Sequence, residues 1–225
     1  MIRRFEFPVR HDLVWLTTAG AEAATTALPP ADQVLVKTWL AIDRPLIRTR
    51  LRPGDPSGWL SLGLPLPPSQ GKRRLALCVP PEGVDRTSPP PRLAAVVDSA
   101  PSHWQGWLTR LEQEAVSAQI VLRVFGSLAW QYLTGETYLS EGSDIDLLWS
   151  SKDPIQLRTG LDLLQSWERE SGLRADGEVL LPTGAVAWRE LADSPTRVLV
   201  KDERTVTLQP LSVIRASLAL QAAHR

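Results

Sequence analysis

The stretch Phe125–Trp149, FGSLAWQYLTGETYLSEGSDIDLLW, decides how this chain is read. An apolar run (Ile120, Val121, Leu122, Val124, Phe125) leads into Gly126-Ser127. A short helical pattern and a loop follow, and the stretch closes with Ser143, Asp144, Ile145 and Asp146 entering Leu147, Leu148 and Trp149. The order reads as strand, glycine turn, helix, loop, strand. It brings the Gly-Ser turn and the Asp-x-Asp step to the same end of a small sheet, a place suited to a polyphosphate and its metal ions.

Asp144 and Asp146 are two residues apart at the start of an extended segment, so both side chains point to one face. Two carboxylates that close repel each other unless a divalent cation lies between them. Mg²⁺ takes hard oxygen ligands and leaves positions for substrate phosphates. Gly126 gives the backbone room to approach a phosphate. Ser127 is expected to cap the next helix, whose free N–H groups face an anion, and its hydroxyl can bond a phosphate oxygen. A third carboxylate is expected from a neighbouring strand. The stretch RADGEVLLP offers Asp176 and Glu178; Glu178 sits deeper in the strand pattern and is preferred, with Asp176 as the alternative. A solvated turn before a strand explains these two almost as well.

Working outward, the C-terminal part is regular. Ser102 is expected to cap a helix carrying Trp104, Trp107, Leu108, Leu111 and Ala115. Asp153-Pro154 reads as a helix start and Gly172 as its stop, with Leu157, Leu161, Leu164 and Trp167 as the buried stripe. Residues 177–182, 185–191 and 196–202 read as strands. Residues 205–209 return as a hairpin partner, and 210–223 form a closing helix. Strands interleaved with helices predict an α/β (α+β) domain with a mixed sheet.

The N-terminal part reads as strand-bearing and irregular. Strand candidates are 12–16, 45–52 and 73–79, while 31–40 fits helix or strand. Prolines cluster at 29–30, 53–56, 65–68, 80–81 and 89–91, which argues against long helices. Residues 80–91, PPEGVDRTSPPP, look like a linker, so the expected domains are 1–90 and 91–225. In 45–52 the alternation puts Arg48, Arg50 and Arg52 on one strand face, just after Arg44. Arginine suits bidentate phosphate contacts, although a solvated strand face explains each residue singly. Lys201, ending an apolar strand, is a candidate point charge for a polyphosphate or simply a strand-end lysine in water.

The chain has 225 residues and is 43% hydrophobic, enough for one or two cored domains. Its formal net charge is zero, yet residues 1–75 carry eleven basic against six acidic side chains. No basic run suggests nucleic-acid binding. The single cysteine, Cys78, rules out an intramolecular disulfide and fits a buried filler in a reducing compartment. The N-terminal MIRRFEFPVRHDL lacks an apolar signal core, and no run approaches a membrane span. A cytoplasmic protein is expected. His11 reads as structural, His103 and His224 receive no role, and Trp130 and Trp149 flank the site, with packing the simpler reading.

Gly126-Ser127 followed by SDIDLLW resembles the signature of the nucleotidyltransferase superfamily, the fold of DNA polymerase β and the antibiotic nucleotidyltransferases. More narrowly, the chain resembles the malonate decarboxylase holo-acyl-carrier-protein synthases, also called phosphoribosyl-dephospho-CoA transferases. The pieces are RHDLVWL (10–16), RPLIRTR (44–50), LGLPLP (62–67), FGSLAWQYLTG (125–135), SDIDLLW (143–149), DGEVLLPTGAVAWREL (176–191) and VLVK (198–201), in order over nearly the whole chain. The gap from Ser127 to Asp144 exceeds that of the smallest superfamily members, so loop 136–142 is expected to bulge outward.

The resemblance implies a nucleotidyltransferase-fold C-terminal domain and a smaller strand-rich N-terminal domain that binds substrate or carrier. It implies transfer of a phosphoribosyl-dephospho-CoA group from its triphosphate precursor, triphosphoribosyl-dephospho-CoA, to a serine of the malonate decarboxylase acyl carrier protein, with release of pyrophosphate. Asp144 and Asp146 would bind Mg²⁺, with Glu178 or Asp176 completing the site. Gly126 and Ser127 would hold the pyrophosphate. For such a substrate Arg44, Arg48, Arg50 and Arg52, with Arg48 and Arg50 foremost, could grip the dephospho-CoA phosphates or an acidic carrier protein, and Lys201 could reach the triphosphate. The competing readings are a nucleotidyltransferase acting on a small molecule or another protein, and a non-catalytic binding module of the same fold.

Overall fold

The computed structural model describes residues 8–223. Most of the N-terminal stretch weighed above as a signal segment, and His224, lie outside the described residues. The chain divides into two compact units, Met1–Pro90 and Pro91–Arg225.

In the first unit the order is β1 (Leu13–Leu16), α1 (Thr18–Thr25), α2 (Pro30–Ala41), β2 (Leu46–Arg48), β3 (Leu60–Pro65), β4 (Arg74–Val79) and β5 (Val84–Ser88). The strands form an antiparallel sheet in the order β4-β3-β2-β1-β5. Alternation along β3 and β4 buries Leu60, Leu62, Leu64, Leu75, Leu77 and Val79, and α2 adds Val36 and Trp39 to the buried set. Residues 31–40, readable as helix or strand, are helix; Pro30 at its first position has the fixed φ that a helix start accepts.

Two segments of this unit differ from expectation. The segment 80–91 is not a linker throughout: Val84–Ser88 is an edge strand paired with β1, and its polar residues Asp85, Arg86 and Thr87 face solvent. The arginine-bearing strand is also shorter than 45–52. β2 ends at Arg48, so Arg50 and Arg52 lie beyond it and no common strand face exists. Arg52 instead turns onto Asp55 and the Leu77 carbonyl.

In the second unit come α3 (Leu93–Val96), α4 (Ser102–Ser117), β6 (Arg123–Phe125), α5 (Gly126–Thr134), β7 (Ile145–Ser150), α6 (Pro154–Ser171), β8 (Ala175–Leu181), β9 (Gly184–Ala187), α7 (Trp188–Ala192), β10 (Arg197–Lys201), β11 (Val206–Pro210) and α8 (Leu211–Ala223). The sheet order is β11-β10-β9-β8-β7-β6. Only β7 and β8 run parallel, so the sheet is mixed and the architecture α+β. A parallel pair needs a crossover, which α6 supplies. Ile145, Leu147 and Trp149 of β7 and Ala175, Val179 and Leu181 of β8 enter one core with Leu108, Leu111, Leu157, Leu164 and Trp167 of the helices. The intervening residues Asp146, Leu148, Asp176 and Glu178 therefore take the opposite face.

Local signals account for α6. Asp153 accepts the Gln156 amide at 2.8 Å, Pro154 occupies the first turn, and Gly172 closes the helix at φ +70°. Two caps differ from expectation. The cap position of α4 is Pro101 and that of α5 is Phe125, neither with a side-chain cap, so Ser102 and Ser127 already lie inside their helices. Residues 185–191 are not one strand: β9 stops at Ala187 and Trp188 begins α7, because Trp188 and Leu191 are buried at helical spacing.

Candidate active site

β6 and β7 pair antiparallel with Phe125 opposite Asp146. The chain then turns at Gly126 into α5. Gly126 has φ +65°, and a Cβ built on it would lie 1.7 Å from Oδ2 of Asp146. Glycine is required twice over: for the left-handed backbone and because the Asp146 carboxylate fills the space a side chain would need. The first-turn N–H groups of α5, including that of Ser127, thus open beside this carboxylate, at the positive end of the helix.

Asp144 is half-buried just before β7. The turn that delivers it is closed by Ser140 and Ser143: the Ser140 amide donates to Ser143 Oγ at 2.9 Å and the Ser143 amide to the Ser140 carbonyl at 3.0 Å. The preceding loop, expected to bulge, is pinned to α5. Gln131 Oε1 accepts the Tyr138 and Leu139 amides at 3.1 and 3.2 Å, and Tyr138 is buried. Gln131 escaped sequence reading because an interior helix glutamine has no local signal.

On β8, Asp176 is the register partner of Asp146 and is exposed. Its Oδ1 accepts the neighbouring Gly177 amide at 2.7 Å. Gly177 (φ +132°) lets β8 come close to β7, since a Cβ there would lie 1.8 Å from the Leu147 carbonyl oxygen. Glu178 lies one step further along the same face, is only 4% exposed, and receives Nζ of Lys201 at 2.7 Å. The two carboxylates weighed for the third position therefore have different surroundings: Asp176 stands across from Asp146, while Glu178 is engaged by Lys201.

Among the described residues no three His, Cys, Asp or Glu side chains are already gathered as a metal cage. The donor set nonetheless fits a hard divalent cation. Mg²⁺ is usually held by one or two carboxylates, with water and substrate phosphates taking the other positions, and the Asp-x-Asp carboxylates beside a helix N-terminus offer such a partial shell.

The other candidates lie elsewhere. Arg48 is 5% exposed, and its guanidinium donates to the carbonyls of Thr49 and, at 3.0 Å, Ser61. It holds the first sheet together rather than forming the open strand face expected. Arg50 is half-buried just past β2. Arg44 stacks on Trp39 at 4.9 Å. Trp130 and Trp149 are buried, Trp149 in the core. Cys78 is half-buried, and burial pushes its thiol pKa up, which leaves it protonated at neutral pH. No helix among the described residues is long and apolar enough to cross a membrane.

Fold and site together define an α+β protein of two units, the second carrying paired aspartates where a parallel strand pair begins. Residues 92–212 match the family model described as the phosphoribosyl-dephospho-CoA transferase MdcG C-terminal domain, and residues 9–90 match the corresponding N-terminal domain. The chain belongs to the phosphoribosyl-dephospho-CoA transferase family. It is 41% identical to a phosphoribosyl-dephospho-CoA transferase of Xanthomonas campestris pv. campestris, over 91% of this chain and 95% of that one. A protein of the same name from Bradyrhizobium diazoefficiens is 38% identical over 89% of this chain and 90% of the relative. No solved structure matches.

Proposed function

We propose that this protein transfers a phosphoribosyl-dephospho-CoA group from its triphosphate precursor to a serine hydroxyl of the malonate decarboxylase acyl carrier protein, releasing pyrophosphate. The transferase part rests on family membership over most of the chain. The observation that carries the chemistry is the Asp146 carboxylate lodged against Gly126 at the start of α5. It joins the acidic start of a strand to a helix N-terminus, the two features that handling a polyphosphate requires.

In this reading the serine oxygen attacks the α-phosphorus in line. A P–O bond to serine forms, the bond between the α-phosphorus and the bridging oxygen breaks, and the serine proton passes to solvent as pyrophosphate departs carrying the bridging oxygen. Asp144 and Asp146, with Asp176 on the neighbouring strand, would hold Mg²⁺, which would neutralise phosphate charge when bound. The α5 amides and the Ser127 hydroxyl hold the terminal phosphates. Lys201, oriented by Glu178, adds positive charge on the same sheet face. Arg50 is the N-terminal candidate for the dephospho-CoA phosphates. Positioning and charge neutralisation account for most of the catalysis, and this is the logic of a nucleotidyltransferase. With its single cysteine the chain suits the reducing cytoplasm.

The test incubates the full chain with carrier subunit, triphosphoribosyl-dephospho-CoA and Mg²⁺ and follows the carrier by intact mass. A gain equal to the phosphoribosyl-dephospho-CoA group, dependent on Mg²⁺, is expected. No gain, with incorporation from ATP into another acceptor, would move the protein to general nucleotidyl transfer.

A further inference from the structure

We propose that Glu168 and Arg189 form a positioning pair for Asp176, standing in for a strand that β9 does not supply. In the parallel pair the Ile145 amide donates to the Arg174 carbonyl at 3.0 Å. The N–H and C=O of Ala175 therefore point away from β7, toward the side where β9 runs. The β8–β9 ladder ends at Glu178 opposite Ala187, because the chain enters α7 at Trp188. Among the described residues, the first residues of β8 thus have no strand on that side.

Side chains complete the edge. Glu168, in the last turn of α6, accepts the Ala175 amide at 2.6 Å. Arg189, on α7, donates to the Ala175 carbonyl at 2.7 Å. The two are ion-paired with each other, and Arg189 stacks on Trp188 at 4.7 Å. The next inward amide, that of Gly177, is taken by Asp176 Oδ1. Ala175 is fully buried, so its peptide groups would be costly to leave unpaired. The pair fixes the peptide immediately before Asp176 and thereby the backbone position from which that carboxylate is presented on the sheet face it shares with Asp146. Glu168 and Arg189 touch no reacting atom; they act through the backbone of Ala175.

This rests on the reading of Asp176 as part of the site, and the experiment separates the two. Full-length Arg189→Ala, Arg189→Lys, Glu168→Gln and Asp176→Asn are compared with the parent for Mn²⁺ binding by electron paramagnetic resonance, amide exchange at Gly177, Tm, and kcat and KM. Arg189→Ala is expected to weaken Mn²⁺ binding about tenfold, the scale of losing a group that orients a ligand. It should also speed Gly177 exchange and lower kcat with little change in KM for the carrier, and Arg189→Lys should restore part of each. If Arg189→Ala does not fold, Arg189→Lys and Glu168→Gln carry the same comparison as graded losses. Loss of Mn²⁺ binding in Asp176→Asn with unchanged binding in the folded clamp variants would overturn the positioning role and leave a structural brace. Unchanged Mn²⁺ binding in Asp176→Asn would instead overturn the reading of Asp176.

Discussion

Lys201 Nζ meets Glu178 Oε1 at 2.7 Å, on a carboxylate almost wholly removed from solvent. A buried carboxylate already engaged by an ammonium is a weaker metal ligand than an exposed one on the strand beside a second aspartate. Asp176→Asn is therefore expected to weaken Mn²⁺ binding, while Glu178→Gln leaves it nearly unchanged. Glu178→Gln and Lys201→Met should be non-additive in stability, with a coupling of about 1 kcal/mol, modest because the lysine is part-exposed. Thermal melts of the single and double variants with a metal titration check both. Loss of Mn²⁺ binding in Glu178→Gln alone would return the third carboxylate to Glu178.

Gly126→Ala places a methyl group on the Asp146 carboxylate in a backbone conformation that L residues avoid. The carboxylate must move or the turn must open. Transfer is expected to fall by at least about a hundredfold, as displacing a positioned group can cost, and Tm should drop as well. Serine at 126 should behave like alanine, since both carry the Cβ. Wild-type transfer in either variant would show that the Asp146 position is not critical.

Ser127→Ala keeps the helix, because Ser127 is not its cap. The expected change is a fall in kcat of about a hundredfold, at the low end for removing one donor from a charged transition state, with weaker inhibition by added pyrophosphate. Rate and pyrophosphate inhibition measured together test this. An unchanged inhibition constant would leave the anion contact to the backbone amides alone.

Glu112 on α4 has a buried Oε2 with no hydrogen-bond partner among the described residues, and burial raises its pKa despite the opposing pull of Arg92. A raised folded-state value means the folded state prefers the protonated acid, so this residue's contribution to stability is lost as pH rises through that value. Glu112→Gln should therefore raise Tm at pH 7 and give no gain at pH 4. Melts at the two pH values check the sign; a loss at pH 7 would contradict it.

Much of the fold was legible where the signal was local. The cap Asp153, the stop Gly172 and the apolar run before Gly126 mark their elements through short-range chemistry. What escaped depended on tertiary context. Residues 84–88 carry polar strand residues because they form a sheet edge, so composition alone suggested a linker. Trp188 looked like a strand residue until burial on the helical side of the sheet decided otherwise. The site was readable as residue types but not as partners. Asp176 and Glu178 lie two apart on one strand, and only the β7–β8 register and the position of Lys201 separate them. Glu168 and Arg189 meet the Ala175 backbone from two helices, a relationship no local pattern encodes. Their traces were the helix stop just after Glu168 and the abrupt change from AVA to WREL.

In the proposed reaction the aspartates where β7 and β8 begin drive transfer to the carrier. Asp146→Asn, which keeps shape and removes charge, tests it most directly when the carrier subunit is followed by intact mass with triphosphoribosyl-dephospho-CoA and Mg²⁺. Carrier modification is expected to fall by at least about a hundredfold with an unchanged Tm, and modification at the parent rate would remove the aspartates from the reaction.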